Sequence, residues 1–258
     1  MNELELPKIE IFPVPDIPII REGDDTGEII CKFAKNAGIV IREEDIIVIA
    51  HAIISRAEGR LVDLRTVTPS EYAKTIADQC DKDPRHIEVI LNQAKSIVRM
   101  KDGILIVESK TPAGWVMANA GVDQSNSLGE NYVILLPENP DRSAEKIRKK
   151  IQEEFGVEVA VIITDTFGRA LRSGAVNVAI GTSGIKPIID LSGVKDLFGY
   201  TLKTTQIGIA DELASAAELI SGQSNEGYPV IVIRGYKYQK GTESALLLAR
   251  PRENALFW

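Results

Sequence analysis

The sequence predicts a mixed fold of the α/β or α+β class with sheets at its centre, because short β-rich runs alternate with amphipathic helical stretches along the chain. No repeat and no low-complexity linker interrupts the alternation. The composition agrees, since 44% of the 258 residues are hydrophobic and 26% charged, the proportions of a globular chain that buries a substantial core. Length alone admits either one large unit or two intimately packed ones.

In chain order, the first strand candidate is "DIIVIA" at 45–50, a β-branched run between charged segments. "TPSE" at 68–71 then predicts a helix with Thr68 as its cap, Pro69 at the first helical position and Glu71 completing a capping box, the helix running to about Cys80. "DPRHIEVILNQAKSIV" at 83–98 opens a second helix on Asp83 and Pro84, with Ile87, Ile90, Leu91, Ala94 and Ile97 as one apolar stripe. Three strands follow: "GILIVES" at 103–109, "GWVMANAGV" at 114–122 and "NYVILLP" at 131–137. The third helix, "DRSAEKIRKKIQEEFG" at 141–156, takes Asp141 as cap and Gly156 as terminator, and leads into the strand "EVAVIITD" at 158–165. "GTSGIKPIIDLSG" at 181–193 reads as loop. A fourth helix, "ADELASAAELISG" at 210–222, begins with Asp211 and Glu212, which suit the positive end of the helix dipole, and ends on Gly222 before the last strand, "YPVIVIRG" at 228–235.

Composition also sets exclusions. A net charge of -7 argues against a general nucleic-acid surface or an anionic-membrane surface. No apolar run approaches the roughly 20 residues that span a bilayer. The acidic start "MNELELPKIE" has neither a basic leader nor an apolar cleavage region, so a cytoplasmic location is expected. Cys31 and Cys80 lack the paired spacing of a zinc or redox site, and Cys80 shares a helical face with Ala73, Ile76 and Ala77, a packing position.

Polar groups at strand and helix ends are where chemistry can gather. "AHAIISRAEGR" supplies His51, Ser55, Arg56, Glu58 and Arg60, and "NAGVDQSN" supplies Asn119, Asp123, Ser125 and Asn126. "TDTFGRALRSG" supplies Asp165, Thr166, Arg169 and Arg172, while "SGQSNEG" supplies Gln223, Ser224, Asn225 and Glu226, and "REGDD" adds Asp24 and Asp25. Each has a plain structural alternative. "DQSN" forms a local Asx turn as readily as a ligand set, "DT" caps helices, "SGQSNEG" suits a solvated loop, and Arg169 with Arg172 suits a surface ion pair. Together they read differently. Asp123, Asp165, Thr166 and Gln223 are oxygen donors of the kind Mg²⁺ and Mn²⁺ prefer, and Arg56, Arg169 and Arg172 are the forked cations that grip phosphate. Neither G-x-x-x-x-G-K-[ST] nor a strand-placed G-x-G-x-x-G occurs, so a P-loop or Rossmann site is disfavoured.

Read in order, "GDD", "ISRAEGR", "NAGVDQSN", "LLPENPDRSAEKIR", "VIITDTFGRALRSG", "VAIG", "ADELASAAELISGQ" and "VIRG" resemble the coenzyme F420-0:L-glutamate ligase family, over nearly the whole chain from about Ile9 to Trp258. The resemblance implies an α+β, two-lobed mixed α/β chain forming an intertwined homodimer, one unit over 1–258 in which one lobe is inserted in the other. A C-terminal nitroreductase-like domain, which bifunctional relatives carry after the point matching "RPRENALFW", is not expected. It further implies GTP-dependent addition of L-glutamate to F420-0 and then of γ-linked glutamates, with Mn²⁺ or Mg²⁺ and with K⁺ as a further cation. One metal falls between Asp123 and Asp165 and a second near Thr166 and Gln223. Nucleotide contacts fall on Ile17, Pro18, Ile19 and Ile20, on His51 and Ala52, on Arg56 and Asn126, and on Ser221, Gly222, Gln223, Ser224, Asn225, Glu226, Gly227 and Tyr228. Asp123, Asp165, Arg169 and Arg172 are the expected catalytic residues. This chain departs from the usual "SKIVSKAEGR" of the family in having His51 and Ala52 where a small hydroxyl-bearing or basic pair stands, and Arg56 in place of lysine. The rival readings are a metal-dependent phosphohydrolase using the same aspartates, and a non-catalytic nucleotide- or deazaflavin-binding relative.

Overall fold

The computed structural model describes residues 6–255; the acidic start "MNELE" and the final "LFW" lie outside them. In chain order the strands are β1 (Glu10–Pro13), β2 (Ile46–Ala50), β3 (Leu61–Asp63), β4 (Ala94–Lys101), β5 (Ile104–Lys110), β6 (Ala113–Ala118), β7 (Tyr132–Ile134), β8 (Ala160–Arg169), β9 (Arg172–Ser183), β10 (Ile189–Asp190), β11 (Gln206–Ile207) and β12 (Val230–Arg234). The helices are α1 (Thr26–Asn36), α2 (His51–Ala57), α3 (Glu71–Cys80), α4 (Pro84–Gln93), α5 (Pro140–Phe155) and α6 (Ile209–Ser221). This is the mixed α+β class that the alternation predicts.

A five-stranded sheet in the order β1-β12-β2-β8-β9 forms the centre, with only β2 and β8 parallel. The near-continuous apolar runs of β2, β8 and β12 follow from burial on both faces. On one face Ile47, Ile49, Val161, Ile163 and Val232 pack with Ile30 of α1, Ile54 of α2 and Ile147 of α5. On the other, Ile46, Val48, Ala160, Ile162 and Ile231 pack with Ile209, Leu213 and Ala217 of α6. At roughly 1.5–3 kcal/mol per fully buried aliphatic side chain, this double burial is what locks the register of β2 against β8.

Residues between α2 and α5 enclose an apolar core of their own. Ala73, Ile76, Ala77 and Cys80 of α3, Ile87 and Ile90 of α4, and Leu105 and Val107 of β5 are buried together, Cys80 in the packing role its helical face predicts. The antiparallel pair β3–β7 brings the two ends of this region side by side, Leu61 opposite Ile134. β6 faces back to the main core, where Trp115 meets Phe167 edge-on at 6.2 Å.

Several boundaries differ from expectation for local reasons. Ser70, not Thr68, caps α3: its hydroxyl oxygen accepts from the Ala73 N–H at 3.1 Å, so Thr68 and Pro69 precede the helix and Glu71 is its first residue. Asp83 and Pro84 open α4 as predicted, but the helix stops at Gln93 and Ala94 turns extended. Ala94, Ile97 and their neighbours pair with β5 instead, Ile97 opposite Val107, a use of β-branched side chains that outweighs one more helical turn. Asn139 rather than Asp141 caps α5, with Pro140 in its first turn. Asp141 instead accepts from the Thr182 and Ala245 N–H groups at 2.7 and 3.1 Å, tying α5 to β9. A Cβ at Gly181 would lie 2.5 Å from Pro140, so that tie requires glycine there, within "GTSGIKPIIDLSG", part of which is strand rather than loop. The run "GWVMANAGV" leaves the strand at Ala118, because Asn119 and Ala120 take positive φ. Gly156 ends α5 in the left-handed region, as expected.

Candidate functional site

β2 and β8 run parallel, so their carboxyl ends open at the same edge of the sheet, the place where open α/β sheets receive ligands. The chain leaves β2 at Ala50 and turns at once into α2, whose first residue is His51. His51 is 7% exposed and Ser55, one turn on, is fully buried. The His51 Nδ1 lies 3.3 Å from the Ser55 Oγ, and its Nε2 lies 3.4 Å from Asp165 Oδ1. With Ser55 donating to Nδ1, the ring proton is on Nε2, which faces the carboxylate at ion-pair distance. Asp165 Oδ1 also accepts from the Thr166 N–H at 2.7 Å, while Oδ2 has no hydrogen-bond partner among the described residues. The aspartate is thus held by one oxygen and presents the other.

At the far end of α2, about 7.5 Å along the axis, Arg56 donates to the backbone carbonyl of Asn126. No acidic side chain pairs with Arg56 among the described residues, and its buried Nε has no partner. Burial holds its pKa below the ordinary arginine value. Asn126 belongs to the loop of Asp123, whose two carboxylate oxygens accept from the N–H and hydroxyl of Ser125. The Asx turn that the spacing allowed is therefore present, on an exposed loop that α2 connects to Asp165.

Two more loops reach α2. Gly23 donates to Ala57 at 2.9 Å, which sets 17–24 against the last turn; there Ile20 is buried and Ile19 is 72% exposed. Ala50 donates to Pro229 at 2.9 Å, which sets the end of the 221–228 loop against the first turn. Residues 224–228 are exposed.

Successive residues of a strand face opposite ways, so Thr166 points to the α6 side of the sheet while Asp165 points to the α2 side. Thr166 Oγ1 lies 2.9 Å from both Asn177 Oδ1 and Gln223 Oε1. Gln223 Nε2 donates to Asn177 Oδ1 at 3.0 Å and to Glu218 Oε1 at 2.5 Å. Sequence reading passed over Asn177 and Glu218, which join Thr166 and Gln223 in this network. Their only signal is that Glu218 lies five residues before Gln223 across a helix end.

Other candidates are elsewhere. β8 continues past Asp165 to Arg169, so "DT" caps no helix. Arg169 and Arg172 flank the two-residue turn to β9, and Arg169 donates to the carbonyls of Ser173 and Gly174 rather than entering an ion pair. Four residues of strand carry it about 13 Å from Asp165. Asp24 accepts from the Arg21 N–H, and Asp25 caps α1 through the Glu28 N–H, so this acidic pair is structural. Glu58 accepts from the Ser143 hydroxyl and the Glu138 N–H, and Arg60 donates to the Leu136 carbonyl, bracing α2 against α5 and the segment before it.

Oxygen donors and a guanidinium with no acidic partner among the described residues thus gather near one short helix, a setting chemically suited to anions. A family model described as F420-0:Gamma-glutamyl ligase matches residues 16–235, and the chain belongs to that family. It is 48% identical over 232 residues to the coenzyme F420:L-glutamate ligase of Methanopyrus kandleri, spanning 90% of this chain and 89% of the relative. With the coenzyme F420:L-glutamate ligase of Methanothermobacter thermautotrophicus it shares 42% identity over 251 residues, 96% of this chain and 98% of the other.

Proposed function

We propose that the chain is a GTP-dependent ligase that joins L-glutamate through an amide bond to the carboxylate of coenzyme F420-0, and then adds further glutamates in γ-linkage. Family membership supports the ligase, and Arg56 is the single structural observation that carries the nucleotide: a half-buried guanidinium with no acidic partner is suited to a phosphate. Ile17 to Ile20, His51, Ala52, Asn126 and the Ser221 to Tyr228 loop converge on α2 with it, and would enclose the nucleotide.

A carboxylate is a poor electrophile, so amide formation needs a leaving group. The F420-0 carboxylate oxygen attacks the γ-phosphorus of GTP, GDP departs, and the resulting acyl phosphate is attacked by the glutamate amine, which expels phosphate and loses a proton. Two anions must approach in the first step. The donor set of Asp123, Asp165 Oδ2, Thr166 and Gln223 is all oxygen and fits Mg²⁺ or Mn²⁺. Such ions usually share their shell with phosphate oxygens and water. When bound, such ions, with K⁺ alongside, would neutralise phosphate charge. Asp165 is held ready by His51, and Arg56 grips phosphate oxygens. Arg169 and Arg172, at the hairpin tip, would meet the carboxylates of the larger substrate.

The same reading makes the protein a homodimer of two-lobed chains, the region between α2 and α5 being the inserted lobe. Leu197 and Phe198, 98% and 97% exposed, would be covered by the second copy. Light scattering should then report a dimer for the protein and a monomer for Phe198→Asp; monomeric wild-type protein would remove the proposal. No helix of the described residues is long and apolar enough to cross a membrane.

Mass spectrometry tests the reaction. Incubated with F420-0, L-glutamate, GTP and Mn²⁺, the protein should add glutamate-sized masses to the cofactor, and omission of any component should stop it. GTP hydrolysis without glutamate or F420-0 would identify a phosphohydrolase instead, and GTP binding without turnover a non-catalytic binder.

A further inference from the structure

An amide side chain offers an oxygen on one side and an NH₂ on the other, and which one faces a ligand is set by its neighbours. At Gln223 the neighbours leave no choice. Asn177 Oδ1 and Glu218 Oε1 lie 3.0 and 2.5 Å from the Gln223 nitrogen, and neither oxygen can donate. Glu218 is itself fixed, because its second oxygen accepts from the Asn177 backbone N–H at 2.8 Å. Asn177 is 7% exposed, and its carbonyl accepts from the Ser215 hydroxyl of α6 at 2.8 Å. β9 and α6 therefore share a rigid acceptor pair aimed at one NH₂ group.

We infer that Glu218 and Asn177 are positioning residues that hold the Gln223 amide with both N–H bonds turned inward and Oε1 beside the Thr166 hydroxyl, facing the ligand. The use of that oxygen for a cation rests on the proposed function; its orientation does not. Glu218→Gln, of nearly the same shape, removes the constraint: the new amide can donate as well as accept, so Gln223 is free to flip.

Two readouts separate the inference from the reading it rests on. In protein labelled with ¹⁵N-glutamine, the Gln223 side-chain resonance should show a proton shifted downfield by its carboxylate bond, absent in Glu218→Gln; the same spectrum in both would overturn the inference. Titration with Mn²⁺, followed by the paramagnetic signal of the free ion in the presence of GDP, should show roughly tenfold weaker binding in Glu218→Gln, the usual cost of losing a group that orients a ligand. Weaker Mn²⁺ binding with the downfield proton retained would make Glu218 a merely structural residue and overturn the inference. A lost downfield proton with unchanged Mn²⁺ binding would leave the orientation standing and remove the cation from this side of β8.

Discussion

Asp165→Asn should abolish glutamate addition while leaving the fold intact. Asparagine keeps the Oδ1 acceptor, so the bond from the Thr166 N–H and the contact with His51 survive, and the melting temperature should stay near that of the wild type. What is lost is the charge on the oxygen that has no partner. If that oxygen stabilises a cation against transferring phosphate, the loss is several kcal/mol of transition-state stabilisation, on the order of 100-fold or more in rate. Mn²⁺ binding should weaken with it. A variant that kept full activity and metal affinity would sink the metal assignment and leave Asp165 as a hydrogen-bonded residue within β8. His51 should matter less. It steadies the same carboxylate through a longer contact, and its loss leaves the Thr166 N–H in place.

Asp165 stood out because an apolar run that ends on a carboxylate is conspicuous, and α5 and α6 were legible from the glycines that end them, Gly156 and Gly222, and α6 also from the acidic pair at its start. The element that organises the site did not. α2 begins on His51, its cap position is Ala50, whose side chain accepts no hydrogen bond, and it follows β2 without a break, so "IIVIAHAII" reads as one apolar run. The turn at Ala94 was hidden for the opposite reason: the helical stripe of α4 continues in register through Ala94 and Ile97, and only the partner strand β5 decides that these residues extend. Asn177 and Gln223 are 46 residues apart, and no local pattern predicts that a lone asparagine in a strand will meet a loop glutamine. Composition, strand ends and helix caps are local properties. The pairing of polar side chains across β9 and α6 is a property of the assembled sheet.

Arg56 should show function and stability pulling apart. A guanidinium that is half-buried with one nitrogen unsatisfied is a cost to the folded protein, typically about 1–3 kcal/mol for the unmade bond, set against the bond it makes to the Asn126 carbonyl. Arg56→Met removes both and keeps the apolar stem, so the protein should melt no lower than the wild type. GTP should suffer greatly. A buried cation that meets phosphate typically contributes about 2–5 kcal/mol, so KM for GTP should rise roughly 30-fold or more. Arg56→Lys separates charge from shape: the lysine restores a positive point but not the fork, and should recover part of the affinity and leave a smaller deficit. The decisive comparison is between the two substitutions in the same assay. A fall in melting temperature with unchanged GTP kinetics in Arg56→Met would mean that the guanidinium is a structural strut for the Asn126 loop, and the nucleotide would have to be sought away from α2.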